Sequence, residues 1–302
     1  MPQLPWRGVF PAVTTQFRKD QSLDLEATSR HWEALIDSGV AGLIVAGSLG
    51  ENQTLEAAEK RSLVAEAVKV AAGRVPVLSG VAEMSTAAAC QYVRDCQKLG
   101  ASGFMVMPAM VYKADTAEAL NHFRKVGAAT DLPWMLYNNP VGYPVDITPA
   151  HFTELATVPN LVALKESSAN TRRITELRLE VGDRYAIFVG VDDLILEASI
   201  LGIDGWVAGS GIAFPQENQH FWELTRAERW DEARALYRWF YPLLKLDTHI
   251  KFVQYIKLAV QEAGLGHEWV REPRLALVGA ERAQVLSIIR HGIAHRPSLQ
   301  AT

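Results

Sequence analysis

The chain has 302 residues, of which 49% are hydrophobic and 21% charged, with a formal net charge of −4. These proportions are those of a folded globular protein, and the acidic balance argues against broad binding to nucleic acid or to an anionic membrane. No run of about 20 apolar residues is present and the first residues do not form a secretory signal, so we expect a cytoplasmic protein with no membrane span.

Short apolar runs alternate with longer amphipathic patterns, which predicts strands and helices in turn. The predicted strands are residues 9–14, 42–46, 75–79, 104–107, 134–137, 161–164, 186–189 and 205–208. The predicted helices are residues 25–38, 55–72, 86–99, 116–130, 149–156, 171–181, 194–201 and 216–227. The strands are apolar on both faces, as parallel strands covered by helices must be. Eight such units predict an α/β fold, the (β/α)8 TIM barrel.

The alternation ends near residue 225. Three helical patterns follow without strands between them, at residues 230–246, 249–263 and 273–290. Their aromatic and aliphatic side chains would be exposed unless they packed against another surface. We therefore predict a barrel of residues 1–225 and a C-terminal helical appendage of residues 226–302.

The sequence offers little for metal binding. Cys90 and Cys96 are the only two cysteines, too few for a disulfide framework or a zinc site. The eight histidines have no HExxH or other metal-ligand spacing. We expect reduced thiols and no metal.

Candidate catalytic residues are those at the carboxyl ends of the predicted strands, where barrel enzymes carry their reactive groups. The sixth strand runs directly into Lys165, and burial there would lower its pKa and leave a neutral amine able to form an imine. Tyr137 ends the neighbouring fifth strand and could shuttle protons for that amine. The structural alternatives are a Lys165 that pairs with Glu166 and a Tyr137 that is only part of the core.

Loops after three other strands complete the predicted site. The turn Gly47-Ser48-Leu49-Gly50-Glu51 follows the second strand, and its N–H groups and the Ser48 hydroxyl suit a carboxylate. Gly190 and the glycines after the eighth strand leave room for substrate beside the lysine. Asp192 and Asp193 are expected to cap the next helix. A lysine, a tyrosine and an anion-binding turn together predict amine-catalysed chemistry on an α-keto acid or its imine.

These motifs resemble the dihydrodipicolinate synthase / N-acetylneuraminate lyase family. The resemblance rests on Gly47 to Glu51, Tyr137 to Pro140, Lys165 to Ser167 and Gly190 to Asp193, and it covers about residues 6–290. It implies a TIM barrel with C-terminal helices, usually a homotetramer. It also implies Lys165 as Schiff-base residue, Tyr137 as proton shuttle, and Ser48, Leu49 and Val207 around the substrate carboxylate and neighbouring carbons.

Three departures from the synthase pattern stand out. Synthases have two threonines where this chain has Ser48 and Leu49, and a tyrosine two residues after the proline of the fourth strand, where this chain has Met110. Tyr112 lies nearby but out of register. Synthases also have an arginine for a second substrate carboxylate, and residues 141–143 supply none. The pocket is expected to be apolar, with Leu49, Met107, Met110 and Trp206.

Residues 8–15, 47–52 and 137–140 are most similar to the 1-pyrroline-4-hydroxy-2-carboxylate deaminase branch of the family. That branch implies a cyclic imine substrate, ammonia and 2,5-dioxopentanoate as products in hydroxyproline catabolism, and no cofactor, because an iminium on Lys165 is itself the electron sink. The alternative is an aldolase or lyase that splits a 4-hydroxy-2-oxo acid into pyruvate and an aldehyde, with 4-hydroxy-tetrahydrodipicolinate synthase ranked below it. A non-catalytic barrel that binds a metabolite is the third reading.

Overall fold

The computed structural model describes residues 6–109 and 114–299. Eight strands form one parallel sheet in the order β1-β8-β7-β6-β5-β4-β3-β2. The strands are Gly8–Val9 (β1), Leu43–Val45 (β2), Val77–Val81 (β3), Gly103–Val106 (β4), Trp134–Asn138 (β5), Leu161–Glu166 (β6), Ala186–Val189 (β7) and Gly205–Trp206 (β8). The α/β class and the eight-stranded parallel sheet predicted from the sequence are confirmed.

The first and last strands of this order are also linked to each other. The Ala41 N–H donates to the Val9 carbonyl at 2.8 Å, and the Val13 N–H donates to the Ile44 carbonyl at 3.0 Å. The sheet therefore curls back on itself, which is consistent with a TIM barrel. The first strand was predicted over residues 9–14, but only β1 and a bridge at Ala12 are regular. Residues beyond β1 still bond to both neighbouring strands, because the Phe10 N–H donates to the Trp206 carbonyl and the Ile44 N–H donates to the Pro11 carbonyl.

A helix follows each strand along the chain. These helices are Leu25–Asp37 (α1), Ala57–Ala71 (α2), Thr86–Lys98 (α3), Thr116–Gly127 (α4), Pro149–Glu154 (α5), Arg172–Val181 (α6), Ile195–Ile200 (α7) and Pro215–Arg226 (α8). Their ends carry the expected signals: Asp24 caps α1 through the Ala27 N–H, and Asp115 with Glu118 forms a capping box on α4. Cys90 and Cys96 both lie in α3 as free thiols.

Three more helices follow: Trp230–Leu244 (α9), Phe252–Glu262 (α10) and Gly279–Ala294 (α11). Phe240 of α9 packs edge-on against Phe214 at the start of α8, with ring centroids 6.2 Å apart, so their apolar faces continue the barrel core. The third helix was predicted from residue 273 but begins at Gly279. The segment before it is a turn at residues 272–274 followed by irregular backbone, and the Arg271 guanidinium anchors its start by donating to the Gln21 and Thr54 carbonyls of the barrel. A domain boundary at residue 225 stays a prediction.

In the part of the chain that the structure describes, no helix has both the length and the apolar character needed to cross a bilayer.

Candidate active site

Lys165 and Tyr137 lie side by side at the carboxyl ends of β6 and β5. They are register partners in the parallel ladder, so their side chains project from the same face of the sheet. Lys165 is 7% exposed, and its Nζ lies 4.0 Å from the centroid of the Tyr137 ring. The structure thus brings together the amine and the phenol that the sequence analysis placed on separate strands.

The predicted alternative, in which Glu166 pairs with Lys165, is not what the structure shows. The Glu166 carboxylate accepts hydrogen bonds from the Ser168 N–H at 2.6 Å and from Asn138 Nδ2 at 3.2 Å. Across residues 6–109 and 114–299, no carboxylate is hydrogen-bonded to the Lys165 amine. Burial lowers the pKa of Lys165, and the nearby Asp247, Tyr143 and Asp192 oppose that shift.

Gly190, at the end of β7, is required by the packing of the lysine. A Cβ at position 190 would lie 2.1 Å from Lys165 Cε and 2.4 Å from Ser167 Oγ. Any larger residue would push the lysine out of its place beside Tyr137. The glycine was predicted to make room for substrate, and its first effect is to make room for the Lys165 side chain.

The turn after β2 holds Ser48 and Leu49. Its left-handed residues are not the glycines but Ala46, with φ 52°, and Glu51, with φ 57°. Leu49 is buried and Ser48 half-buried. Among the described residues, no acceptor is bonded to the Ser48 or Leu49 N–H, which leaves two donors for an anion.

Tyr143 is a residue of this site that the sequence analysis missed. Its hydroxyl is 2.5 Å from Ser48 Oγ, and its ring meets the Tyr137 ring edge-on with centroids 5.7 Å apart. The loop after β5 sets this geometry, because Asn139 donates through Nδ2 to the Tyr137 hydroxyl and accepts from the Gly142 N–H. The available signal was a second tyrosine shortly after Tyr137. The sequence analysis examined residues 141–143 only for an arginine, which they lack.

Both phenols are neutral at ordinary pH. Burial raises the pKa of Tyr137 to about 12, partly offset by the Asn139 hydrogen bond. Burial also raises the pKa of Tyr143 above its usual range. Tyr137 can therefore donate a proton, and the Tyr143 hydroxyl is hydrogen-bonded to Ser48 in the turn after β2.

Some of the other predicted residues do not have the roles that the sequence suggested. Asp192 does not cap a helix through its side chain: it accepts hydrogen bonds from Trp206 Nε1 at 2.9 Å and from the Ser210 N–H at 2.6 Å. Trp206 was predicted in the pocket, but it packs against Phe221 of α8. Successive side chains of a strand point to opposite faces, and Trp206 lies on the face of the sheet that the helices cover. Val207, the next residue, faces the opposite way. Met110 and Tyr112 lie outside the described residues.

Comparisons with known proteins agree with this geometry. The model of the dihydrodipicolinate synthetase family matches residues 5–292. Two similar proteins are the 4-hydroxy-tetrahydrodipicolinate synthases of Sorangium cellulosum, 33% identical over 98% of this chain and 99% of that one, and of Ruegeria pomeroyi, 30% identical over 95% and 98%. Among solved structures, YagE of Escherichia coli K12 in complex with pyruvate is 26% identical, with a TM-score of 0.88 over 96% of this chain and 99% of that one.

The predicted deaminase function is contradicted by these comparisons. The similar proteins, at about 30% identity over nearly the whole chain, are named as synthases that make 4-hydroxy-tetrahydrodipicolinate. The residues that suggested the deaminase branch were 8–15, 47–52 and 137–140, of which 47–52 follow β2 and 137–140 begin at the end of β5. The branch assignment rested on resemblance alone, and the names of these relatives do not support it. The alternative reading, a lyase of the same family, fits the comparisons better.

Proposed function

Because the chain belongs to the dihydrodipicolinate synthetase family, we propose that it is a lyase that binds pyruvate as an imine on Lys165. The enzyme then makes or breaks the carbon–carbon bond between the pyruvate methyl carbon and an aldehyde. The observation that carries the proposal is a buried amine, free of a hydrogen-bonded carboxylate in the described residues, beside a buried phenol. The YagE complex shows that a relative of this fold holds pyruvate.

The chemistry begins with the neutral Lys165 amine. Its lone pair attacks the carbonyl carbon of pyruvate, and the carbonyl oxygen takes a proton to give a carbinolamine. Tyr137 donates a proton to the departing hydroxyl, water leaves, and an iminium remains. Ser48, Leu49 and the N–H groups of their turn hold the carboxylate, while Val207 and Gly190 border the substrate carbons.

The iminium then acidifies the pyruvate methyl group. The Tyr137 phenolate left by the previous step takes a methyl proton, and the iminium becomes an enamine. The enamine carbon then attacks the aldehyde carbon and forms the new bond, while the C=O π pair moves onto the aldehyde oxygen, which is protonated. Water releases the product by reversing imine formation, and Lys165 is regenerated. The iminium accepts the electron pair throughout, so the sequence needs no cofactor.

Two substrates fit this reaction class, each favoured by a different observation. The names of the relatives favour 4-hydroxy-tetrahydrodipicolinate synthesis. The residues that follow Tyr137 favour an aldolase for a 4-hydroxy-2-oxo acid, because residues 139–145 contain no arginine to hold a second carboxylate. A buried carboxylate left unpaired would be costly.

The proposal is tested by trapping. The protein is incubated with pyruvate and borohydride, and the tryptic peptide that contains Lys165 is weighed. We expect a reduced pyruvate adduct on Lys165; an unmodified peptide would overturn the proposal. The two substrates are then separated by pyruvate release from 4-hydroxy-2-oxopentanoate against condensation of pyruvate with aspartate 4-semialdehyde.

We also propose a homotetrameric assembly, which the family resemblance implies, and a cytoplasmic location, which the sequence led us to expect. Light scattering on the purified chain measures the first directly.

A further inference from the structure

A carboxyl group from outside the barrel reaches the end of the sheet that carries Lys165. Asp247 lies in a short 3₁₀ helix, Lys245–Thr248, between α9 and α10, and this segment packs against the loop after β7. Its Oδ1 lies against the backbone of Gly209, after β8: a Cβ there would be 2.4 Å from that oxygen. Glycine at 209 is what lets the carboxyl approach.

Asp247 lies on the opposite side of Lys165 from Tyr137. In the sheet, β6 has β5 on one side and β7 followed by β8 on the other. Tyr137 belongs to β5, whereas Asp247 stands over the ends of β7 and β8. The Asp247 charge raises the pKa of both Lys165 and Tyr137, which places it within electrostatic reach of the reacting centre.

Two carboxyls occupy this side, and Asp192 is the more extensively hydrogen-bonded of the two. Asp192 is fully buried and accepts hydrogen bonds from Trp206 Nε1 and from the Gly209 and Ser210 N–H groups. Asp247 is half-buried, and its carboxyl accepts a hydrogen bond from the Asp192 N–H but from no side chain among residues 6–109 and 114–299. Burial and the Asp192 charge raise its pKa well above the ordinary value, while the Lys165 charge lowers it. Asp247 is therefore a carboxyl with bonding capacity left for a ligand.

We propose that Asp247 is the acid–base catalyst for the C4 oxygen of the substrate, and that this substrate is a 4-hydroxy-2-oxo acid whose far end is uncharged. The inference rests on the proposed function. In cleavage, the Asp247 carboxylate takes the C4 hydroxyl proton, the oxygen lone pair forms the aldehyde carbonyl, and the C3–C4 pair moves into the iminium to give the enamine. In condensation the same atoms move in reverse, and Asp247 gives its proton to the aldehyde oxygen.

The electrostatics of the intermediate support this assignment. An iminium on Lys165 carries a permanent positive charge, so it stabilises the carboxylate form of Asp247 as the ammonium does. The base is thus produced by formation of the intermediate that requires it. The same negative charge would repel a second substrate carboxylate, for which residues 139–145 offer no arginine.

The test compares Asp247→Asn with the wild-type enzyme in two parts of the reaction, namely formation of the imine and enamine, and cleavage of the C3–C4 bond. Exchange of the pyruvate methyl protons with D2O, followed by NMR, and borohydride trapping both need only Lys165 and Tyr137. Pyruvate release from 4-hydroxy-2-oxopentanoate also needs the C4 oxygen to lose its proton. We expect exchange and trapping within about threefold of wild type, and cleavage slower by roughly 10²–10⁴-fold.

The control is Asp231→Asn, which removes an exposed carboxylate at the start of α9 whose partner is Arg234; all three rates should stay at the wild-type level. Asp247→Ala should regain part of its cleavage rate in formate, which a structural role would not allow. The pH profile of Asp247→Asn should lose one ionisation. The other titratable groups around position 247 are unchanged in this variant, namely Lys165, Tyr137, Asp192, Asp193 and Lys245.

Each other outcome overturns the inference. Equal losses of exchange and cleavage would make Asp247 a positioning residue for Lys165, and unchanged cleavage would remove its role altogether. A wild-type enzyme that traps pyruvate but cleaves only a substrate with a second carboxylate would refute the assigned specificity while leaving the proposed function intact. A wild-type enzyme that traps no pyruvate would refute both.

Discussion

Two buried lysines of this molecule have opposite surroundings. Lys257 of α10 is fully buried, and its amine donates to Glu51 Oε1 at 2.9 Å and to the Thr15 carbonyl at 2.8 Å. Lys165 is nearly as buried, but its amine has the face of Tyr137 next to it and no hydrogen-bonded carboxylate in the described residues. A direct ion pair stabilises an ammonium, whereas desolvation without one favours the neutral amine. The first arrangement supports structure and the second supports imine formation.

The two regions are connected through Glu51. This residue ends the turn that carries Ser48, and its carboxylate also accepts from the Arg271 N–H at 3.1 Å. Lys257 and Arg271 belong to the C-terminal part of the chain, so that part fixes the anion-binding turn of the barrel. The C-terminal helices therefore do more than cover apolar surface: they hold one side of the site through Glu51, and Asp247 borders another.

The largest expected effect is that of Lys165→Met. Without the amine no imine forms, so we expect no pyruvate adduct and a loss of turnover on the order of 10⁶-fold, as when other catalytic nucleophiles are removed. The urea unfolding midpoint should not fall, because the substitution removes a desolvated amine and fills its space. A lower midpoint would mean that Lys165, like Lys257, stabilises the fold.

Tyr137→Phe should reduce turnover by roughly 10²–10⁴-fold, the usual cost of a lost acid–base group. Steady-state kinetics measure the loss. The same substitution at Tyr241, an exposed residue of α9, serves as the control. Full activity of Tyr137→Phe would assign the proton transfers to another group.

Lys257→Met tests the structural side of the comparison. It leaves the Glu51 carboxylate buried without its nearest cation, which typically costs about 3–5 kcal/mol of unfolding free energy. Adding Glu51→Gln should recover part of the loss in urea unfolding experiments. Arg74→Met, which breaks the exposed ion pair with Glu33, should change stability by about 1 kcal/mol or less. Equal effects of the two single substitutions would show that burial of the pair is unimportant.

Acid should lower the free energy of unfolding through His31. Burial lowers the pKa of His31 from 6.5 to about 4. The unfolded chain binds the proton first, so the stabilisation is complete above pH 6.5 and is lost as the pH falls toward 4. The shift corresponds to about 3 kcal/mol. His31→Gln should show a correspondingly smaller loss of unfolding free energy between pH 7 and pH 4, and His295→Gln, an exposed control, should behave as wild type.

The smallest effect is expected for Tyr143→Phe. It removes the hydrogen bond to Ser48, worth about 1 kcal/mol, so kcat/KM should fall by roughly five- to tenfold with trapping of pyruvate unaffected. A loss as large as that of Tyr137→Phe would move Tyr143 from positioning Ser48 to direct proton transfer.

The sequence by itself determined the fold class and the succession of strand–helix units along the chain. It also determined that Lys165 and Tyr137 lie at the ends of strands. These depend on local signals, namely strand-length apolar runs, glycine stops and the polar residue that ends each strand. The resemblance to a known family identified the family correctly, but the choice of the deaminase branch is contradicted by the names of the similar proteins.

Only the tertiary structure brought Tyr143, Asp247 and Lys257 to the site. Tyr143 reaches Ser48 across 95 positions of the chain, and Lys257 reaches Glu51 across 206. No local pattern encodes such contacts, because each depends on how a loop or helix packs over a strand end that is distant in sequence. For Lys165 the sequence predicts the position at the end of a strand. Its desolvation beside Tyr137 and Gly190, however, depends on the packing of the folded barrel.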